Sequence, residues 1–338
     1  MLLKDLCQAH GVSGDEERVR KIIYDNIKVN CDAVSVDIMG NMIAYKKGFD
    51  SSKKIMLCAH MDEVGLIVSD ITDSGFLKFK AVGGLDTRVL IGKRVKVGKN
   101  NISGIISLKA IHLQTKSERE NAPDIKSLYI DIGAKDKEDA EKHISLGDYA
   151  SFDTSFSEFG DGYYKAKALD DRCGCAILAD LTKLDCAYDT YFCFTVQEEV
   201  GCRGASICAN RIGADAALIV EATTCGDISG APKHLEVTNP HGGAAFSLLD
   251  RGSLSDIELT KKLYSLASNE NVNVQYKRTT MGGNDARAIQ TAVGGTLTCA
   301  VSLPCRYLHS PVCTVSKADY DAVYNVAKLF ITRTKELI

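Results

Sequence analysis

No tryptophan occurs anywhere in the 338 residues. A sugar cleft ordinarily stacks its rings on aromatic platforms, so this absence argues against carbohydrate chemistry. An excess of basic charge is missing too. Lys and Arg total 41 against 44 Asp and Glu, a formal net charge of −3, which leaves no electrostatic footprint for nucleic acid. No apolar run is long enough to span a bilayer. Met1-Leu2-Leu3-Lys4-Asp5-Leu6 lacks the basic end and apolar core of a signal peptide. These readings predict a cytoplasmic protein with neither a membrane nor a nucleic-acid partner. A serine nucleophile elbow, a P-loop and a Rossmann glycine fingerprint are also absent. Gly282-Gly283-Asn284-Asp285 is Gly-rich, but it has no P-loop lysine and follows no clear strand.

Paired CxxC spacing is missing as well. The thirteen cysteines sit largely in apolar runs, such as those around Cys58, Cys193 and Cys299, where a free thiol acts as a small apolar group. Cys173-Gly174-Cys175 and Cys305 with Cys313 do not make a zinc site. The odd count and this placement speak against a disulfide framework and for a reducing cytosol.

What is present is a soluble globular composition, 45% apolar and 25% charged. The length suits one large or two ordinary domains. Ser13-Gly14-Asp15-Glu16 has the form of a capping box, and Val19, Ile22, Ile23 and Ile27 follow at helical spacing. Segments 34–36 and 42–45 read as strands. Lys54 to Ala59 is a buried strand that ends in His60-Met61-Asp62-Glu63-Val64-Gly65. From about Ser69 to Tyr164 the texture changes to short alternating segments, such as Phe76 to Phe79, Arg94 to Val97 and Ile102 to Leu108, separated by Gly, Asn and Asp. That is the pattern of a small β-rich domain, whose strands leave edges that need covering. The polar run Gln114 to Asp124 reads as a mobile loop, and Asp136 to His143 as a short helix. After Lys165 strands and helices alternate again. Arg172 to Leu184 is a helix, Tyr191 to Phe194 and Asp215 to Val220 are buried strands, and Thr296 to Leu303 is a further strand. A second capping box, Ser255 to Glu258, opens a helix to about Ser268, and Ser316 to Lys335 closes the chain as an amphipathic helix. The chain is therefore an α/β protein with a small β domain inserted, and ligands are expected at strand ends.

Chemistry-bearing residues collect where apolar strands stop: His60 and Asp62, Asp170 and Asp171, Glu198 and Glu199, Glu221, then His309. One such residue after a strand is ordinarily a cap or a solvated loop group. Five strand ends carrying imidazole or carboxylate are a different matter. Adjacent carboxylates at the end of a buried strand are costly without a partner. Mixed imidazole and carboxylate donors suit zinc, cobalt or manganese. Two histidines with several carboxylates are enough for two metals sharing a bridging group.

The segments Cys58 to Gly65, Ala168-Leu169-Asp170-Asp171-Arg172 and Val196-Gln197-Glu198-Glu199-Val200-Gly201, with the late His309, resemble the tetrahedral (TET) aminopeptidases. These are dinuclear metallo-exopeptidases of the glutamyl or deblocking type, some once named endoglucanases. Gly11-Val12-Ser13-Gly14 with Glu16, and Gly40-Asn41, also fit, and the resemblance runs over nearly the whole chain. The resemblance implies a zinc-exopeptidase-like fold, a mixed sheet sandwiched by helices. Residues 1–68 and 165–338 would form the catalytic domain and 69–164 an inserted β-rich oligomerisation domain. His60, Asp170 and Glu221 would hold one divalent ion, and Asp170, Glu199 and His309 the other, with Asp170 bridging. Glu198 would be the general base acting on a metal-bridged water. Asp62 would orient His60. Zinc or cobalt is the implied metal, with manganese a third candidate. Short peptides are the implied substrates, and a dodecamer built from dimers the implied assembly.

One position departs from the family pattern. Glu221 stands where Asp is usual, and Glu at the equivalent place occurs among related carboxypeptidases. A metallo-exopeptidase of other polarity, carboxypeptidase or dipeptidase, is the alternative. A glycoside hydrolase using Glu198 and Glu199 and a non-catalytic peptide-binding scaffold are weaker ones. The N-terminal residue preferred is not legible: Lys233, His234 and Arg306 could favour acidic side chains, yet isolated basic residues are ordinarily solvated.

Overall fold

A computed structural model describes residues 1–280 and 282–338. Among the described residues the largest element is an eleven-stranded sheet. Its centre is four parallel strands in the order Tyr188–Thr195, Asp50–His60, Ala216–Thr224 and Leu297–Arg306. Antiparallel strands flank this core. Met42–Lys46 and Ala33–Val36 extend one side, and Cys313–Ser316, Tyr163–Ala166 and Ser157–Phe159 extend the other. Ala244–Ser247 and Val274–Tyr276 branch from Leu297–Arg306.

The central strands read as unbroken apolar runs because both of their faces are covered. Alternate residues point to opposite sides. Ile55, Leu57 and Ala59 enter the main core with the helices Leu2–Gln8, Glu17–Ile27, Leu169–Leu181, Ile257–Asn269 and Lys317–Thr332. Met56 and Cys58 enter a second core with Arg203–Ile212 and Ala286–Ile289. Cys58, Cys193 and Cys208 pack together there, small enough to let that helix pair approach the sheet. All thirteen cysteines are free thiols, and all but Cys31 are buried.

Six strands, Gly65–Ile71, Leu77–Val82, Tyr129–Asp131, Ile102–Ser107, Arg94–Val97 and Tyr149–Phe152, close into a barrel. Its own core includes Leu66, Val68, Leu77, Phe79, Val95, Val97, Ile106, Ile130 and Phe152. Closure corrects one expectation: the barrel strands carry no open edges to be covered, because each pairs on both sides. Within the polar run expected as a loop, Thr115 caps the short helix Lys116–Glu120 through a capping box with Glu118.

Neither expected capping box forms. Ser13 Oγ donates instead to Asp62 Oδ2 at 2.7 Å, and Glu16 Oε1 accepts from Gly14 N at 2.8 Å and Gln197 N at 3.2 Å. The second helix is capped one residue later, by Asp256, which accepts from Leu259 N at 2.8 Å. In the first place the buried Asp62 carboxylate and the Gln197 turn take the two side chains, and in the second Asp256 supplies the cap in place of Ser255. Among the described residues no helix is long and apolar enough to cross a membrane.

Candidate metal centre

The C-terminal ends of the four parallel strands meet on one side of the sheet, the usual place for ligands in an α/β architecture. His60 ends one strand, and Glu198 and Glu199 sit in the turn after the next. Glu221 lies in the third strand, and His309 in the loop after the fourth. Asp170 comes from the start of the Leu169–Leu181 helix, where Ala168 is left-handed at φ 53° and Asp170 itself is extended, at φ −87° and ψ 110°. The Asp170–Asp171 peptide bond is cis. Gln197 (φ 57°) and His309 (φ 53°) are also left-handed, so both turns carry backbone that non-glycine residues rarely adopt.

The carboxylate of Asp170 stands between two imidazoles. Its Oδ1 is 3.4 Å from His60 Nε2, and its Oδ2 is 3.4 Å from His309 Nε2. His309 Nε2 is also 3.2 Å from Glu199 Oε2. His60, Asp170 and Glu199 each offer a ligand atom within 4.8 Å of the others. His60, Asp170, Glu198, Glu221, Lys277 and His309 line one cavity of about 240 Å³. The structure thus brings together His60, Asp170, Glu198, Glu199, Glu221 and His309, whereas Asp62 and Asp171 do not line the cavity. Of the residues brought together, two keep to its margin. Glu221 Oε1 is held by Asn284 Nδ2 at 2.8 Å and Ser302 Oγ at 2.9 Å. Glu198 Oε1 accepts from Cys202 Sγ at 3.3 Å.

Asp62 ties the two halves of this arrangement together. Fully buried, it accepts from Glu198 N at 3.0 Å, Glu199 N at 3.1 Å and Ser13 Oγ at 2.7 Å. Its Oδ1 lies 3.5 Å from His60 Nδ1 and its backbone oxygen 3.1 Å from the same nitrogen. One carboxylate therefore fixes both the imidazole and the Glu198-Glu199 turn. Asp171 points away from the cavity, accepting from His60 N at 3.2 Å and Gly174 N at 3.0 Å. Beneath it Arg172, fully buried, donates to the backbone oxygens of Met61, Leu6, Ala9 and Gly11. Glu63 pairs with Lys167 at 2.7 Å and Arg172 at 3.3 Å.

Protonation equilibria record the crowding of carboxylates. Burial, with Asp170 adding its charge, pushes Glu199 and Glu221 up to about 7. Burial likewise carries Glu198 well above the usual carboxylate range against the pull of His60. Burial opposes charge on His309, yet Asp170 and Glu199 outweigh it and lift the imidazole to about 9. His60 is raised in the same way by Asp170 and Asp62. Hydrogen bonds from His309 and His60 hold Asp170 low despite its burial. Three clustered carboxylates, Asp170, Glu199 and Glu221, beside two imidazoles make a donor set that suits a divalent cation, whose charge would let them ionise.

Several participants escaped the sequence reading. Asn284 and Asp285, noted only as a glycine-rich turn, are both buried at the site's edge. Asp285 Oδ2 accepts from Thr195 Oγ1 at 2.7 Å, while its Oδ1 has no hydrogen-bond partner among the described residues. Of the basic residues considered for selectivity, Lys233 and His234 are exposed, and Arg306 is paired with Asp227 at 2.5 Å. Lys277, not considered, lines the cavity.

A mixed sheet under two helical layers, a closed barrel beside it and imidazole with carboxylate at the strand ends define a zinc-exopeptidase-like hydrolase. Residues 40–326 match the model of the M42 glutamyl aminopeptidase family, and the chain belongs to that family. It is a metallo-aminopeptidase, an enzyme acting on peptide bonds. A protein of Acetivibrio thermocellus is 40% identical over 334 residues, 98% of this chain and 96% of its own. The TET aminopeptidase from a marine-sediment Thaumarchaeota archaeon superposes with a TM-score of 0.95 at 31% identity, covering 98% of this chain and 95% of its own. A Pyrococcus horikoshii TET peptidase, able to assemble into a tetrahedron or a large octahedral shell, gives 0.87 at 32% identity, covering 98% of each chain.

Proposed function

We propose that this chain removes N-terminal residues from short peptides with two divalent ions bound side by side. The observation that carries the reading is Asp170, whose two oxygens face two different imidazoles at equal distance. That is the posture of a bridging carboxylate. His60, Asp170 and Glu221 would hold one ion, and Asp170, Glu199 and His309 the other. Zinc or cobalt suits this set best, with manganese third. When bound, such ions polarise the scissile carbonyl and make water acidic enough to ionise near neutral pH.

Glu198 lines the same cavity, and its Oε1 is engaged by the Cys202 thiol and not by an imidazole, so its carboxylate is left for proton transfer. It takes the proton of the attacking water and returns it to the leaving amine, a contribution of about 10²–10⁴-fold. Asp62 keeps the turn bearing Glu198 and Glu199 in register with His60. The carboxylate-pair glycosidase reading loses support here, because Glu199 is turned to His309 and not across a cleft from Glu198.

Residues 1–68 and 165–338 form the catalytic part in this reading, and 69–164, built around the barrel, the part that joins copies. Assembly of the Pyrococcus horikoshii relative into a tetrahedron supports a dodecamer built from dimers. Free thiols throughout support a cytoplasmic location. The test is a panel of peptides offered with free, N-acetylated and C-amidated ends. Cleavage from the free amino end alone, indifferent to amidation, is expected. Release of C-terminal residues from acetylated peptides would overturn the polarity and make Glu221 the residue to suspect.

A further inference from the structure

Glu221 has one carboxylate oxygen held by two side chains that have no place in the cavity chemistry. Register accounts for the first of them. Ser302 is the Cα partner of Glu221 across the parallel pair, so its hydroxyl stands beside the carboxylate and donates to Oε1 at 2.9 Å. The second comes from elsewhere in the chain. Asn284 Nδ2 donates to the same Oε1 at 2.8 Å and to Asp250 Oδ2 at 3.2 Å.

The orientation of that amide is fixed from behind. Asn284 Oδ1 accepts from Ala286 N at 2.8 Å, which turns the NH₂ toward the two carboxylates. Asp250 is itself anchored, accepting from Gly252 N at 2.7 Å and from Ser253 N at 2.6 Å. Asn284 is 2% exposed and Ser302 fully buried. Buried this deeply, a half-satisfied network would be costly. Both donors converge on Oε1, so Oε2 is the oxygen left for the cavity that Glu221 shares with His60 and Asp170.

We infer that Asn284 is a positioning residue for the metal centre: with Ser302 it saturates one oxygen of Glu221, presents the other to the ion, and separates that carboxylate from Asp250. The inference rests on the reading of Glu221 as a ligand. Removing a hydrogen-bond partner of a ligating carboxylate typically costs about 10–100-fold in metal affinity. A side chain that merely filled space would change stability and leave that affinity alone.

The experiment is a double-mutant cycle on full-length apoprotein. Co²⁺ is titrated in, and its visible absorption and the bound metal are followed for wild type, Asn284→Ala, Ser302→Ala, Glu221→Ala and Asn284→Ala with Glu221→Ala. Asn284→Ala is expected to weaken one of two ions by about 10–100-fold and leave the other unchanged. Ser302→Ala, which removes one hydroxyl and is the safer variant for folding, should weaken the same ion by less. In the Glu221→Ala background Asn284→Ala should add nothing. Wild-type affinity for both ions in Asn284→Ala and Ser302→Ala, or a full further loss on top of Glu221→Ala, overturns the inference. If Glu221→Ala alone keeps both ions at wild-type affinity, the ligand reading itself fails and takes this inference with it.

Discussion

Glu198 and Glu199 are neighbours in sequence, yet the turn gives them different partners. Glu199 Oε2 meets His309 at 3.2 Å, whereas Glu198 Oε1 meets the Cys202 thiol at 3.3 Å. Isosteric amides therefore separate a ligand from a base. Glu198→Gln should retain both ions and lose turnover by at least about 10²-fold. Glu199→Gln should lose metal first and activity with it. Elemental analysis and rates on both variants decide, and the reverse pattern would mean the roles are exchanged. At this scale the sequence was legible where a titratable side chain ends an apolar run, as with His60, Glu198 and Glu199. Asn284 and Ser302 were not legible, because their work is hydrogen bonding to Glu221 across 63 and 81 residues of chain. No local pattern carries that information.

Elements follow the same logic. Unbroken apolar runs located the central strands, because both of their faces are buried. Helix starts were less legible. Ser13 and Glu16 match a capping box in spelling, but Asp62 and the Gln197 turn claim their side chains. The segment before the Glu17–Ile27 helix is instead tied down by Arg172 and Lys167, which donate to Leu6, Ala9 and Gly11 oxygens. Glu63 is the anion that makes this pair of buried cations tolerable, and it is only 2% exposed. Removing one partner of a buried ion pair typically costs about 3–5 kcal/mol. Glu63→Gln should destabilise the apoprotein by that order in urea unfolding. A cost below about 1 kcal/mol would show that the backbone oxygens alone satisfy Lys167 and Arg172.

Across the whole molecule, the barrel stands as a separate core beside the sheet that carries the chemistry. Its wall is closed, and the apolar groups it exposes are Ile105 on a strand and Ile111, Leu113 and Leu146 in the connections between strands. A shell built through this part would admit short or unfolded peptides and exclude compact proteins. Light scattering should therefore show a particle much larger than the 36.6 kDa chain. A peptide should be hydrolysed fast when free and slowly when fused without a linker to a folded domain. A fully active monomer would refute the shell and leave the metal chemistry in place.

The central claim is that two ions on the His60, Asp170, Glu199, Glu221 and His309 set make this chain an enzyme. Apoprotein prepared by chelation should be folded and inactive. Stepwise return of Zn²⁺ or Co²⁺ should restore hydrolysis of an unblocked peptide in step with the bound metal, reaching a plateau at two ions per chain. Full activity in the metal-free protein, or a plateau at one ion, would contradict the account.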